Sequence, residues 1–413
     1  MKFAHMADCH IGGYRDPKLR EAGAKAFEKA IDKCISEKVD FVLISGDLFN
    51  TSFPSLDMLK IAVLKLKELN ENSISVYVIA GSHDFSPSGK TILDVLESAG
   101  LFVNVVKGSI EKNMLRLKFT EDKKTGAKIT GMLGKKGMLE KTYYESLDYE
   151  SLEKETGFKI FMFHTALSEF KPTELKEMPS SPVSMLPKEF DYYAGGHVHY
   201  VFQKEETEFG LIAYPGPLFP NSFSELEKLG CGGFYIYDSN ELKKLRWERI
   251  QVYPIHSIFI DAENRTVEDV EKELIDEIKT KEFIDSIITI RIKGTLKSGK
   301  PSEIRFRDIF QNFYDKGAYF VMKNISKLSS TEFEDIKIET ASVKETEDRL
   351  IDESIGKIKT GLSKENIPES EKKLIIKLMN TFSSEKDEGE KVYEFEEKIK
   401  SEIDKIIEEQ NKK

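Results

Sequence analysis

The sequence contains few cysteines. Its 413 residues include only three, at positions 9, 34 and 231, and no two of them are closely spaced. This distribution argues against a disulfide framework and against a zinc site built from paired thiolates. A metal site in this protein would therefore have to use histidine and carboxylate ligands.

The sequence also lacks a long hydrophobic run. No apolar stretch approaches the roughly 18 residues expected of a membrane-spanning helix. The N-terminus, MKFAHMADCHIGG, carries Asp8 and His10 where a signal peptide would need an uninterrupted apolar segment. We therefore expect a soluble cytoplasmic protein that does not associate with a membrane.

Positive charge is not in excess, since the net charge is -10. This balance argues weakly against binding nucleic acid over the whole surface. Much of the acid lies beyond about residue 330, in segments such as TEFEDIKIET, so the first 250 or so residues can be locally basic. The pairs Lys123-Lys124 and Lys135-Lys136 are candidates for phosphate contacts, although pairs of this kind also occur in solvated loops.

The length predicts two or three domains, and the pattern of apolar segments predicts an α/β fold at the start of the chain. The apolar segments KFAHMA, DFVLISG, SVYVIAG, FKIFMFH and FDYYAGGH each lead into glycine, histidine or aspartate. Amphipathic helical stretches such as EAGAKAFEKAIDKCISEK lie between the early ones. Such alternation is typical of α/β domains, in which ligands bind beyond the carboxyl ends of the strands.

Histidine and aspartate are concentrated at these predicted strand ends. The residues concerned are Asp8 and His10, Asp47, His83, His164, and His197 and His199. A single histidine after a strand is usually structural, but five of the seven histidines occupy such positions, and only His5 and His256 do not. This coincidence favours a metal site.

The ligand types fit a pair of metal ions. Imidazole and carboxylate together suit Mn, Fe or Zn better than Ca. The carboxylate of Asp47 is the candidate bridge between two cations. Cations about 3.5 to 4 Å apart can activate a shared water and hold the oxygens of a phosphoryl group, so the pattern predicts phosphoester hydrolysis.

The remainder of the chain carries no comparable motif. Segments HSIFIDAE, SIITIRIKGTL and AYFVMKNIS alternate with helical VEDVEKELIDEIKT, which predicts a small α+β domain. Near the end, KVYEFEEKIKSEIDKIIEEQ places apolar residues at helical spacings, namely Val392, Phe395, Ile399, Ile403 and Ile406. This apolar face can bind a partner, or it can pack back on the chain as a helical hairpin.

The order of the strand-end motifs resembles that of the calcineurin-like metallophosphoesterases over residues 1 to about 220. More narrowly, KFAHMADCHIG, DFVLISGDLFN, YYAGGHVH and AYPGPL resemble the SbcD-like nuclease subunit of the double-strand-break-repair nuclease/ATPase complex. The resemblance implies an α/β metallophosphoesterase sandwich over residues 1–252 and a small α+β capping, DNA-binding domain over 253–330. A helix and linker over 331–370 and a helical ATPase-binding segment over 371–413 would follow.

The resemblance also implies a role for each site residue. The first metal would be held by Asp8, His10, Asp47 and His199. The second would be held by Asp47, Ser82, His164 and His197. His83 would protonate the leaving oxygen or stabilise the charged transition state. Asp84 would act from behind the ligands by orienting His83 or a loop amide, or would simply cap the loop.

One position departs from the family pattern. The family has Gly-Asn-His-Asp where this chain has Gly81-Ser82-His83-Asp84. A serine hydroxyl is carried on a shorter arm than an asparagine amide oxygen and is a poorer ligand, so we expect a weaker second metal site. The three consecutive residues are not a Ser-His-Asp nucleophile set, because neighbours in sequence cannot adopt the geometry of such a relay.

By the same resemblance we expect a metal-dependent DNA nuclease that acts in double-strand-break repair. Its activities would be 3'-5' exonuclease on duplex DNA and endonuclease on single strands, with two divalent cations, for which Mn²⁺ is the expected metal. The partners would be DNA, a coiled-coil ABC-type ATPase bound through the C-terminal helices, and a second copy bound through helices at about 54–70 and 90–99. The protein would be intracellular and associated with the nucleoid.

Two other functions stay open on the sequence alone. The same metal site could hydrolyse small phosphodiesters. Alternatively, the chain could be a DNA-end-binding scaffold for the ATPase, in which Ser82 has weakened catalysis.

Overall fold

The computed structural model of the chain describes residues 1–86, 89–135, 137, 139–331, 368–384 and 392–411. These residues belong to two compact units, 1–332 and 333–413. Most of the helix and linker expected over 331–370 falls outside the described residues. None of the helices in the described ranges combines the length and the apolar character needed to span a bilayer.

The first sheet of the larger unit contains three of the five predicted strands. In chain order its strands are β1 (Lys2–Met6), β2 (Phe41–Ser45), β3 (Ser75–Ile79), β4 (Val103–Asn104), β13 (Gly232–Asp238) and β14 (Leu245–Ile250). The spatial order is β14-β13-β1-β2-β3-β4, and the pairs from β1 to β4 are parallel. Every residue of β2 is buried, as expected of a parallel strand covered on both faces.

The second sheet of this unit faces the first. Its strands are β7 (Thr120–Glu121), β8 (Lys128–Gly131), β9 (Lys159–His164), β10 (Tyr192–Gly196), β11 (Phe202–Glu206) and β12 (Gly210–Tyr214). The spatial order is β11-β12-β10-β9-β8-β7. A separate hairpin is formed by β5 (Gly108–Glu111) and β6 (Met114–Leu117). The five strands expected to carry the metal ligands are therefore confirmed as β1, β2, β3, β9 and β10.

Apolar side chains of the two sheets meet in a shared core. Phe3 on β1 stacks on Phe41 of β2, and its ring meets the edge of Tyr192 from β10 in the opposite sheet. Helices cover the outer faces, namely α1 (Pro17–Ser36), α2 (Leu56–Glu71), α3 (Ile92–Ser98), α4 (Lys141–Glu145), α5 (Tyr149–Glu153) and α6 (Phe223–Leu229). The α/β sandwich that the resemblance implies is thus observed.

Local sequence signals explain where the long helix α1 begins. The side chain of Asp16 accepts a hydrogen bond from the amide of Lys18 at 2.9 Å, and Pro17 occupies the first helical position. An aspartate cap followed by proline is a favoured helix start, because the cap satisfies a free amide and proline needs none. The helix then packs its alanine-rich face on the first sheet.

A smaller, three-stranded sheet follows in the same unit. Its strands β15 (Ile255–Asp261), β16 (Ile287–Leu296) and β17 (Phe320–Ser330) are parallel and connected through α7 (Val267–Thr280) and α8 (Phe306–Asp315). The strands and α7 coincide with the apolar and helical segments expected from the sequence, whereas α8 was not anticipated. This region has its own hydrophobic cluster, but Ile287 belongs to the core of the first sheet. The domain boundary at residue 252 stays a prediction.

The smaller unit is described over two helices, Pro368–Phe382 and Val392–Asn411. They pack on each other and form an apolar groove lined by Phe382, Phe395, Ile399 and Ile403, together with Glu396 and Lys400. The side chain of Phe382 is 67% exposed in this groove. We refer to these two elements below as the tail helices.

We expect Phe313→Ala to destabilise the region of the small sheet. Phe313 is fully buried, and its ring meets Phe283 at a centroid distance of 5.0 Å. Removal of a buried phenyl ring costs about 3 to 5 kcal/mol, because the cavity is only partly refilled. Urea unfolding of the full chain, followed by circular dichroism, measures the change.

Phe259→Ala is the matched control, since Phe259 lies on β15 of the small sheet but is 60% exposed. Its effect should be about 0.5 kcal/mol or less. Equal destabilisation by the two substitutions would contradict the assignment of Phe313 to the core.

Candidate metal centre

The strand ends that carry the expected ligands converge at one edge of the sandwich. Parallel strands bring their carboxyl ends to the same edge of a sheet. In this protein, the carboxyl-end edges of the two sheets lie next to each other. The backbone at Gly46 after β2 lies so close to His164 at the end of β9 that a Cβ atom there would approach His164 Nδ1 to 2.2 Å. Glycine is therefore required where the first sheet meets the second.

Ligand-type atoms form three overlapping groups in the described part of the chain. Within each group, the atoms lie within 4.8 Å of one another. The groups are Asp8, His10 and His199; His10, Asp47 and His83; and Asp8, Asp47 and His164. The structure thus brings together six of the expected residues, while the ring of His197 lies beside that of His164, with centroids 5.2 Å apart.

The carboxylate of Asp47 lies at the centre of these groups. Its Oδ2 atom is 3.2 Å from His164 Nε2 and 3.8 Å from His10 Nε2. Its Oδ1 atom accepts a hydrogen bond from the amide of His83 at 2.8 Å. The Ser82 hydroxyl donates to Oδ2 over a long 3.5 Å. Asp47 is therefore placed where a bridging carboxylate would be needed.

The carboxylate of Asp8 connects the first strand end to the last. Both of its oxygens accept from the amide of His197, at 3.0 and 3.1 Å. Its Oδ1 atom lies 3.8 Å from His199 Nε2. Residues almost 190 positions apart are thereby brought to the same site.

Three imidazole rings are anchored through the nitrogen that faces away from the cluster. His164 Nδ1 is 2.8 Å from the Ser45 carbonyl, and His83 Nδ1 is 2.8 Å from the Asn50 carbonyl. His199 Nδ1 is 3.1 Å from Glu225 Oε1. An anchored Nδ1–H leaves the Nε2 lone pair available inside the cluster, as metal-binding histidines require.

The polar atoms inside the cluster fit metal ions. His164 Nε2 is buried without a hydrogen-bond partner, although it faces Asp47 Oδ2. His10 Nε2 and His199 Nε2 lie only 3.1 Å apart. Two lone-pair nitrogens at this distance repel each other unless a proton or a cation lies between them. Nitrogen and oxygen donors in this mixture suit transition metals.

Burial and charge divide the imidazoles into two classes. Burial lowers the pKa of His10 to about 3 and that of His197 to about 4, with further repulsion from neighbouring histidines. Burial also opposes the charged form of His164, but contact with Asp47 outweighs it and raises the pKa to about 10. For His199, Glu225 and Asp8 likewise outweigh burial and raise the pKa to about 9.

The pKa values of the two central carboxylates, those of Asp8 and Asp47, are shifted in opposite directions. Burial raises the pKa of Asp8 to about 6. Burial acts in the same direction on Asp47, but the neighbouring His164 and His10 outweigh it and hold the pKa well below its ordinary value. The raised pKa of His164 favours its protonated form, which compensates the charge of this carboxylate. Bound cations would take over that role and displace the proton.

Four of the expected ligands have left-handed backbone conformations. The φ angles are 51° at Asp8, 43° at His10, 54° at Asp47 and 84° at His197. Non-glycine residues seldom adopt such angles, and each costs on the order of 1 to 3 kcal/mol unless the surroundings compensate. Concentration of this strain at one site is typical of a functional centre.

Asp84 lies behind the ligands and contacts backbone amides. Its carboxylate accepts from the amides of Leu48, Phe49 and Gly81 at 3.1 to 3.2 Å. Burial, with repulsion from Asp47, raises the pKa of this carboxyl to about 6. These contacts are with loop amides, as expected both of a residue that orients a loop amide and of one that caps the loop.

Comparison with known proteins supports this arrangement. Residues 1–201 match the model of the calcineurin-like phosphoesterase family. A DNA double-strand break repair protein Mre11 from Methanococcus maripaludis is 29% identical over 84% of this chain and 89% of its own length. The Archaeoglobus fulgidus protein of the same name is 27% identical over 75% of each chain.

The Mre11 protein of Methanocaldococcus jannaschii is 31% identical over 61% of this chain and 67% of its own length. The resemblance inferred from the strand-end motifs is confirmed. Together with the cluster of candidate ligands, these similarities show that the chain is a metal-dependent phosphoesterase and belongs to the Mre11 family.

Proposed function

We propose that this protein is a two-metal DNA nuclease that acts in double-strand-break repair. The observation that carries the proposal is the convergence of carboxylates and imidazoles from five strand ends around Asp47. The Mre11 relatives, which are named for double-strand-break repair, support DNA as the substrate. We assign to it 3'-5' exonuclease activity on duplex DNA and endonuclease activity on single strands.

The assignment of ligands follows the contacts around the two carboxylates. We assign to the first metal Asp8, His10, Asp47 and His199. We assign to the second Asp47, Ser82, His164 and His197. Mn²⁺ matches the mixture of nitrogen and oxygen donors. When bound, such a cation pair activates a water and neutralises the oxygens of the phosphodiester under attack.

We assign to His83 the protonation of the leaving oxygen. Its Nδ1 atom is anchored on the Asn50 carbonyl at 2.8 Å, and its ring meets His10 at a centroid distance of 4.8 Å. The Asn50 carbonyl accepts a hydrogen bond from Nδ1–H, which leaves Nε2 as the nitrogen that can carry a proton to the leaving oxygen. Imidazole exchanges protons near neutral pH and therefore suits a proton donor to a departing DNA oxygen.

We assign to the tail helices the binding of a protein partner. They leave an apolar groove between Phe382, Phe395 and Ile403, which is suited to another apolar helix. We infer that a coiled-coil ABC-type ATPase binds there. Association with DNA in the cell, and hence with the nucleoid, follows from the proposed substrate.

We infer that a second copy of the chain binds through the region of α2 and α3. Phe53, Leu56 and Leu64 are 69%, 82% and 54% exposed, and Val95 is 59% exposed. In contrast, Leu93 and Leu96 on α3 are buried in the core. Exposed apolar side chains on neighbouring helices favour a homodimer.

One observation favours a different function. The Ser82 hydroxyl lies 3.5 Å from Asp47 Oδ2, and in the proposed second metal site it would be a weak neutral donor. A DNA-end-binding scaffold with weakened catalysis would have such a site. Hydrolysis of small phosphodiesters is the other alternative, because the same cation pair would serve it.

We expect His83→Ala to lower hydrolysis of linear duplex DNA by about 10²- to 10⁴-fold, as expected for loss of a proton donor. Mn²⁺ binding, measured by calorimetry, should be retained. A chromogenic phosphodiester with a nitrophenolate leaving group needs no proton, so its hydrolysis should fall much less. His256→Gln is the matched control, since His256 packs on Phe283 away from the site.

Equal losses on the two substrates would contradict the role of His83 as a proton donor. A parent protein that prefers the chromogenic substrate to DNA would favour the small-substrate alternative. A parent protein that binds DNA ends but does not cleave them would favour the scaffold.

We expect Ser82→Asn to strengthen the second metal site. An amide oxygen reaches further than a hydroxyl, and a gain of about 1.4 kcal/mol would lower the Mn²⁺ concentration for half-maximal activity about tenfold. Titration of DNA hydrolysis with Mn²⁺ gives this value for the variant, the parent and a Ser82→Ala control. The idea fails if parent and Ser82→Asn have the same metal requirement.

We expect a chain shortened to residues 1–365 to keep its DNA hydrolysis and to lose co-purification with the ATPase. Ile399→Glu in the full chain should have the same effect, since a charge would enter the apolar groove. Ser401→Glu, at an exposed position of the same helix, is its control. Retention of the ATPase by the shortened chain would refute the assignment of the tail helices.

A further inference from the structure

A carboxylate on helix α6 contacts a candidate metal ligand from behind. Glu225 Oε1 lies 3.1 Å from Nδ1 of His199. Glu225 lies outside the strand-end motifs and beyond residues 1–201, which match the family model. Its only local signal in the sequence, Ser222-x-x-Glu225, predicts a helix start and gives no indication of a histidine partner.

The carboxylate of Glu225 is held by its own helix. The amide of Asn221 donates to Oε2 at 2.8 Å, and the Ser222 hydroxyl donates to Oε1 at 3.0 Å. The Ser222 hydroxyl in turn accepts from the amide of Glu225 at 3.2 Å. The side chain is only 22% exposed. Glu225 therefore presents a fixed acceptor to the imidazole ring.

This contact determines which nitrogen of His199 faces the cluster. With Nδ1–H directed to Glu225, the Nε2 atom points inward, 3.1 Å from His10 Nε2 and 3.8 Å from Asp8 Oδ1. A carboxylate on the outer nitrogen also makes the inner nitrogen a more basic ligand. Of the three anchored rings, His83 and His164 use neutral backbone carbonyls, and only His199 uses a charged acceptor.

We propose that Glu225 is a positioning residue for the first metal site, where it fixes the orientation and tautomer of His199 and strengthens its bond to the metal. The proposal rests on the proposed function, because it takes His199 as a ligand. It assigns a role in metal binding to a helix outside the strand-end motifs.

The same helix provides a matched control two residues away. Glu227 faces the small sheet and binds Arg291 of β16 through two pairs of atoms, with Nε at 2.9 Å from Oε1 and Nη2 at 2.6 Å from Oε2. The guanidinium of Arg291 also lies over the ring of Phe223, at 5.1 Å. Substitution of Glu227 disturbs the attachment of α6 without removing a partner of His199.

The experiment measures Mn²⁺ binding to the full-length metal-free chain by calorimetry. Parent, Glu225→Gln, Glu225→Asp and Glu227→Gln are compared. We expect Glu225→Gln to raise the Kd of the first site by about 10- to 100-fold, as is typical when the carboxylate behind a metal-binding histidine is lost. Glu225→Asp, which keeps the charge, should recover part of the affinity. Glu227→Gln should bind like the parent.

A spectroscopic measurement and a stability measurement separate positioning from folding. The electron paramagnetic resonance spectrum of bound Mn²⁺ should change in Glu225→Gln and stay that of the parent in Glu227→Gln. Thermal unfolding of the metal-free chains should show no greater loss of stability for Glu225→Gln than for Glu227→Gln.

Two results would overturn the role of Glu225 without affecting the proposed function. The first is parental Mn²⁺ affinity in Glu225→Gln. The second is an equal loss of affinity in the two Glu→Gln variants, which would mean that the site needs only an intact helix. A parent chain that binds no Mn²⁺ would overturn the inference and the proposed function together.

Discussion

The structure depends on one buried carboxylate, that of Asp47, placed where the two sheets meet. An ionised carboxylate removed from water without partners costs several kcal/mol or more. Here His164 from the second sheet, His10 from the first strand end and the amide of His83 surround it. Charge compensation at Asp47 therefore draws together loops from both sheets. The same contacts with Asp47 therefore stabilise the junction of the two sheets and bring the candidate metal ligands together.

The loops around Asp47 are strained, and the structure compensates the strain close by. Asp47 has a left-handed backbone, and the two residues that follow it donate their amides to Asp84. Asp84 also accepts from the amide of Gly81, so one carboxylate fixes the loop after β2 to the loop after β3. Gly81 has to lack a side chain, because a Cβ atom there would lie 2.2 Å from Asp47 Oδ1. Ligand geometry is thus maintained by neighbours that would not themselves bind a metal.

The sequence was informative where a functional residue follows a buried strand. Apolar runs that end in glycine, histidine or aspartate located β1, β2, β3, β9 and β10, and the parallel arrangement then placed Asp8 and His164 at one edge. Helix α8 was not anticipated, because FRDIFQNFYD was not recognised as amphipathic. The contact of His83 with the Asn50 carbonyl could not be predicted from the sequence, because every residue has a backbone carbonyl. Glu225 was missed for a different reason: its local pattern predicts a capping box, and only tertiary packing brings it to His199.

The position of α6 has a consequence for the extent of the metal centre. The carboxylates and imidazoles of the cluster lie within residues 8–199, and the match to the phosphoesterase family ends at residue 201. Helix α6 lies beyond both limits, yet it contacts His199 through Glu225 and the small sheet through the Glu227–Arg291 pair. Helix α6 thus carries one charged contact toward the metal centre and another toward the small sheet. The contacts that support the metal centre therefore extend beyond the residues that match the family model.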